Sequence, residues 1–80
     1  GRKADPFMVT VHPTPDETPI YLNSHPGQEY NIVLKGRMLL QINNKEVILE
    51  EGDSIYFNSE LPHGMKALDG EKVSFLAIIL

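Results

Sequence analysis

Apolar and polar residues alternate along this chain mostly with a period of two, and the alternation comes in short runs separated by turn residues. Phe7 to Val11 reads Phe-Met-Val-Thr-Val, a short β-branched strand. His12 to Pro19 follows with prolines at 13, 15 and 19, so it can neither coil into a helix nor donate regularly to a sheet ladder. Ile20 to Leu22 predicts a further strand, broken by His25-Pro26-Gly27. Glu29 to Leu34 predicts the next, and Lys35-Gly36 turns it into Arg37 to Ile42. Asn43-Asn44 separates Met38–Ile42 from Lys45–Leu49. Two asparagines tolerate positive φ, so the pair predicts a two-residue type I′ hairpin. Glu51-Gly52-Asp53 leads into a strand over Ser54 to Phe57, Pro62-His63-Gly64 opens a strand to Leu68, and Asp69-Gly70 is a second hairpin signal before Val73 to Leu80. About eight short strands at roughly ten-residue spacing, with no helical period, predict an all-β barrel or sandwich.

Length and charge narrow the classes. A chain of 80 residues buries only about 60% of the surface its unfolded form exposes, so its core is marginal and favours a staple. There is no cysteine, which leaves a metal ion or a partner subunit for that role. Seven basic against eleven acidic side chains give a net charge of −4, with no basic cluster beyond Arg2-Lys3. Direct contact with nucleic acid phosphates is therefore not expected of these residues. The apolar run Val73 to Leu80 is far short of the ~20 residues a membrane helix requires, and a cytoplasmic location is expected. Residues 1–5 read as a linker or tag remnant and residues 6–80 as one domain. The same apolar run is too greasy on both faces for a strand wet on one side, so a homodimer is expected, with the outward half of that run or Phe7 to Val11 at the contact.

The candidate chemistry lies in two histidines and a carboxylate beside glycine turns. His25 and Glu29 stand four residues apart with the same strand parity, and His63 sits in Leu61-Pro62-His63-Gly64. Two imidazoles and one carboxylate, if brought together, match the face that holds Fe(II) and related divalent metals while leaving coordination positions open. Read without a metal, Glu29 is a solvated strand carboxylate, His25 a turn residue and His63 a partly buried ring satisfied by a backbone carbonyl. His12, in the proline-rich loop, is expected to be solvated. Tyr30, Tyr56 and Met38 are the candidate ligand contacts, although such side chains equally fill a small barrel. Tyr56 and Phe57 are adjacent, so only one faces inward. Parity with Ser54 and Asn58 assigns that place to Tyr56.

The spacing His25-x3-Glu29-x6-Gly36, with Gly52-x10-His63, resembles the two motifs of the cupin superfamily over residues 20–80. The resemblance implies a small cupin barrel, a jelly roll of about eight strands, and a metal set of His25, Glu29 and His63. Asn23 stands where the family's first histidine belongs, so it is expected as a weak fourth contact and the metal, Fe, Mn, Ni or Zn, as weakly bound. Asn58, Glu60 and Ala67 also depart from the second motif, at turn positions. Residues 51–64 further resemble the C-terminal sensor domain of bacterial helix-turn-helix regulators of the xenobiotic-response-element type. That resemblance implies a dimer that binds a small polar or anionic effector, touching DNA only through a helical domain expected upstream. The alternatives are a stand-alone metal-dependent dioxygenase or isomerase, and a metal-free dimerisation module.

Overall fold

The computed structural model describes residues 5–80 and contains seven strands and no helix among them. They are β1 (Asp5–Val11), β2 (Gln28–Lys35), β3 (Met38–Ile42), β4 (Lys45–Leu49), β5 (Ser54–Asn58), β6 (His63–Ala67) and β7 (Val73–Ile79). All seven were expected from the alternation. β1 starts at Asp5, one residue inside the segment read as linker, and the rest of that segment lies outside the described residues.

The strands form two antiparallel sheets, β1-β7-β2-β5 and β4-β3-β6. Their facing sides close on Val33, Met38, Leu40, Leu49, Phe57, Ala67, Val73, Phe75 and Ala77, all buried. On β2 the strict alternation places Glu29, Asn31 and Val33 on this inner side and Tyr30 and Ile32 on the outer one. Leu34 is the extra residue of a bulge against β7, after which Lys35 pairs with Ser74.

Three local expectations are corrected. Ile20–Leu22 is no strand: the chain there touches the sheets through a single bridge, Asn23 to His63. The prolines at 13, 15 and 19 remove ladder donors just before it. Asp69-Gly70 does form a tight turn, with φ of 63° and 66° and a bond from the Glu71 N–H to the Leu68 carbonyl. It is not a hairpin, because β6 pairs with β3 while β7 pairs with β1 and β2, so the turn carries the chain from one sheet to the other. Arg37 holds it there through two bonds to the Asp69 carboxylate, at 2.9 and 3.0 Å. The Asn43-Asn44 hairpin joins β3 to β4 as expected, but positive φ falls on Asn43 alone (55°), so its turn departs from type I′.

The outer side of the larger sheet carries an apolar patch. Pro6, Ile78, Tyr30 and Tyr56 form one row across all four strands, and Met8, Leu76 and Ile32 the next, which ends in Ser54. No helix among the described residues is long and apolar enough to cross a membrane.

Truncation should cost most where the sheets face each other. Leu40→Ala, at a fully buried position, is expected to lower unfolding free energy by about 2–5 kcal/mol. Ile48→Ala, on β4 and half exposed, is expected to cost no more than about 1 kcal/mol. Urea unfolding of the two variants checks this, and equal losses would contradict the placement of the core.

Candidate metal centre

Three separate pieces of backbone bring the site together. Glu29 is supplied by the inner face of β2 and is 5% exposed. His63 opens β6, where Pro62 restricts the preceding residue to extended geometry, and it is 6% exposed. His25 comes from the loop before β2. Its N–H donates to the Ser59 carbonyl (2.9 Å), and the Ser59 N–H donates to the Gly27 carbonyl (3.2 Å), so the loop is tied to the β5–β6 connection. Gly27 reverses the chain with φ of 99°, and a Cβ there would collide with the Leu80 carbonyl. Residues 12–22 form a strap outside the strands, and Gly64 allows it to lie against β6, since a Cβ at that place would meet the Tyr21 carbonyl.

Both imidazoles aim Nε2 at one oxygen of Glu29. The distances to Oε1 are 3.1 Å from His25 and 3.5 Å from His63, and the three donor atoms lie within 4.8 Å of one another. The rings meet edge to face, 5.2 Å between centroids. His63 Nδ1 donates to the Leu61 carbonyl at 2.8 Å, which fixes the tautomer and leaves a lone pair on Nε2 pointing at the carboxylate. His25 Nδ1 has only a 3.4 Å contact to the Pro26 carbonyl, and its side chain is 36% exposed. His25 Nε2 is within hydrogen-bond reach of the same oxygen, and a cation placed between the Nε2 lone pairs and that oxygen is attracted to all three.

The donor set fits a divalent metal. Donors about 2.1 Å from an ion and at right angles stand ~3.0 Å apart, close to the two measured edges. The expected convergence of His25, Glu29 and His63 is therefore present, and the carbonyl partner foreseen for His63 in a metal-free reading holds the same ring in place for a metal. Asn23 pairs its backbone with that of His63 in both directions (2.9 and 2.8 Å), beside the cluster.

Tyr56, Tyr30 and Met38 lie away from the cluster. Tyr56 was expected inward and is outward, 57% exposed, while Phe57 takes the inner place at 8%. Ile55 and Phe57 form the apolar parity of β5, opposite the polar parity of Ser54, Tyr56 and Asn58. Phe57 packs edge-on against His63 (5.0 Å) and keeps water from that side of the ring. Tyr30 lies beside Tyr56 on the outer face, away from the cluster. Met38 is fully buried in the core. One residue was missed: Asn31, polar at inner parity between Tyr30 and Ile32, is fully buried. Its signal was an amide at the parity of Glu29, in a strand whose other parity is apolar at Tyr30, Ile32 and Leu34.

A groove of about 480 Å³ opens onto the cluster, bounded by His12, Thr14 and Thr18 on the strap side and by Asn23, His25 and His63 within. Lys66 at its margin holds the strap, donating to the carbonyls of Asp16 (2.7 Å) and Thr18 (3.1 Å). His12 is thus exposed as expected, yet it faces this groove.

Residues 7–79 match the family described as Cupin domain. The chain is a cupin. Among solved structures it resembles iron(II) HppE in complex with substrate, at 30% identity and TM-score 0.84, over 96% of this chain and 45% of that one. It also resembles hydroxypropylphosphonic acid epoxidase from S. wedmorenis, at 27% identity and TM-score 0.83, over 96% and 43%. Cobalt(II) HppE in complex with substrate is similar at 28% identity and TM-score 0.83, over 96% and 44%. This cupin thus spans less than half the length of each. No curated protein sequence matches it significantly.

Metal should stabilise this cupin measurably. With Co(II) at about one hundred times its dissociation constant, unfolding free energy is expected to rise by about 2.7 kcal/mol. His63→Ala should abolish the gain, and an equal gain in that variant would remove the site.

Proposed function

We propose that this cupin holds one divalent ion of the Fe(II) type through His25, Glu29 and His63, and that a small polar or anionic molecule reaches it through the strap-side groove. The observation that carries the reading is the convergence of three donor atoms on one point that faces a cavity. When bound, the metal supplies open coordination positions and Lewis acidity. The chain's own residues do the rest. Leu61 and Phe57 orient His63, the strap covers the entrance, and the groove walls offer imidazole, hydroxyl, amide and ammonium groups. Among the described residues no carboxylate lines the groove, in a chain whose acids outnumber its bases. That favours an anionic ligand.

The reading extends to catalysis as a metal-dependent enzyme acting on such a small molecule. The iron(II) and cobalt(II) complexes of HppE with substrate support this on a common scaffold. The sensor reading uses the same site and rests on the resemblance of residues 51–64 to regulator domains. It differs in predicting binding without turnover, linked to DNA by another domain. Small carboxylic and phosphonic acids should perturb the visible spectrum of the Co(II)-loaded protein and bind it at least about tenfold more tightly than the metal-free protein. Equal affinity for both forms would defeat binding at the metal. With Fe(II) and dioxygen, loss of the bound acid in the wild type but not in His63→Ala selects the enzyme reading, and persistence of the acid selects the sensor.

The same proposal includes a homodimer through the outer face of the larger sheet, where Met8 is 64% and Tyr56 57% exposed amid an apolar row. Sedimentation should show a dimer at tens of micromolar, shifted toward monomer by Met8→Glu with Tyr56→Glu. A wild-type monomer at that concentration would refute it.

A further inference from the structure

Glu29 has two carboxylate oxygens, and the imidazoles use only one. Oε1 faces both rings. Oε2 points the other way, toward the Asn31 side chain, which is fully buried. The two residues share the inner face of β2, ~6.6 Å apart along the strand, so their side chains meet without any distortion of the backbone.

The amide has one chemically sensible orientation. With its oxygen toward Glu29, acceptors would face each other in a buried place, with no proton to share. With the nitrogen there, Nδ2 donates to Glu29 Oε2 at 2.8 Å and to the Tyr30 carbonyl at 3.3 Å. Both amide hydrogens are then used, and both acceptors are satisfied.

A neutral donor suits a ligand carboxylate. A lysine or arginine there would compete with the metal for Glu29, and an aspartate would repel it. The amide does neither. It occupies Oε2 and leaves Oε1 free, which hinders rotation of the carboxylate and its engagement of an ion by both oxygens. We infer that Asn31 is a positioning residue that fixes Glu29 as a one-oxygen ligand. The inference rests on the metal reading proposed above. It adds a defined carboxylate coordination mode and the residue that enforces it.

The test compares Co(II) binding by the wild type, Asn31→Leu and His63→Ala. Leucine keeps the branching and the number of side-chain heavy atoms of asparagine and removes the donor, and thermal unfolding of the metal-free protein verifies that the variant folds. Asn31→Leu is expected to bind Co(II) about tenfold or more weakly, with a change in the intensity of its visible absorption as the coordination number changes. A merely structural amide would leave that spectrum unaltered once the protein is folded. If Asn31→Leu does not fold, Asn31→Ala carries the same two readouts. A folded variant whose affinity stays within about twofold of wild type and whose spectrum is unchanged overturns the role of Asn31 while the metal site stands. Equal Co(II) binding by wild type and His63→Ala removes the metal site, and the role of Asn31 with it.

Discussion

The burial of the Glu29 carboxylate is the constraint on which the rest of this structure depends. An ionised group sealed between two sheets is costly unless every lone pair it presents finds a donor or a cation. Here three residues face it: His25 from a loop and His63 from the other sheet at Oε1, and Asn31 from the same strand at Oε2, with the Leu61 carbonyl holding His63 from behind. A one-residue slip of β2 would turn Glu29 and Asn31 to solvent and carry Tyr30 and Ile32 inward. The register of the larger sheet and the integrity of the site are therefore one condition.

The two ends of the sandwich divide the labour. The far end, around Arg37 and Asp69, is closed by an exposed ion pair that fixes the crossing from β6 to β7. The Asp69 carboxylate, by hydrogen bond and charge, raises the Arg37 guanidinium above its usual pKa. The opposite end carries the chemistry. There the strap lies against β6, and prolines limit its freedom while Lys66 tethers it by two carbonyls. Phe57 gives the cluster a dry wall on one side, and the groove gives it access on another. This combination of a fixed, partly dry donor set with an open approach is what a small-molecule metal site requires.

Much of this was legible in the sequence. Seven strands followed from period-two alternation, the turn at Asn43-Asn44 from residues that tolerate positive φ, and the His/Glu/His set from its spacing against the cupin motifs. The errors had local causes. At β5 the chain itself favoured Ile55 and Phe57 as the inner parity, and the choice of Tyr56 passed over that pattern. At Ile20–Leu22 an apolar triplet was given more weight than the prolines before it.

Sequence by itself determined where the chain can extend and where it must turn, because those preferences arise from sterics between neighbouring residues. It also determined which side chains could ligate a metal, because donor chemistry belongs to the residue. Tertiary structure alone decided that the Asp69-Gly70 turn joins different sheets, since strand pairing depends on residues far apart in the chain. It alone decided that the two imidazoles share one oxygen of Glu29 while Asn31 takes the other. The His63 contact exists only when β2 and β6 lie face to face, and that arrangement follows from the packing of the two sheets on their common core.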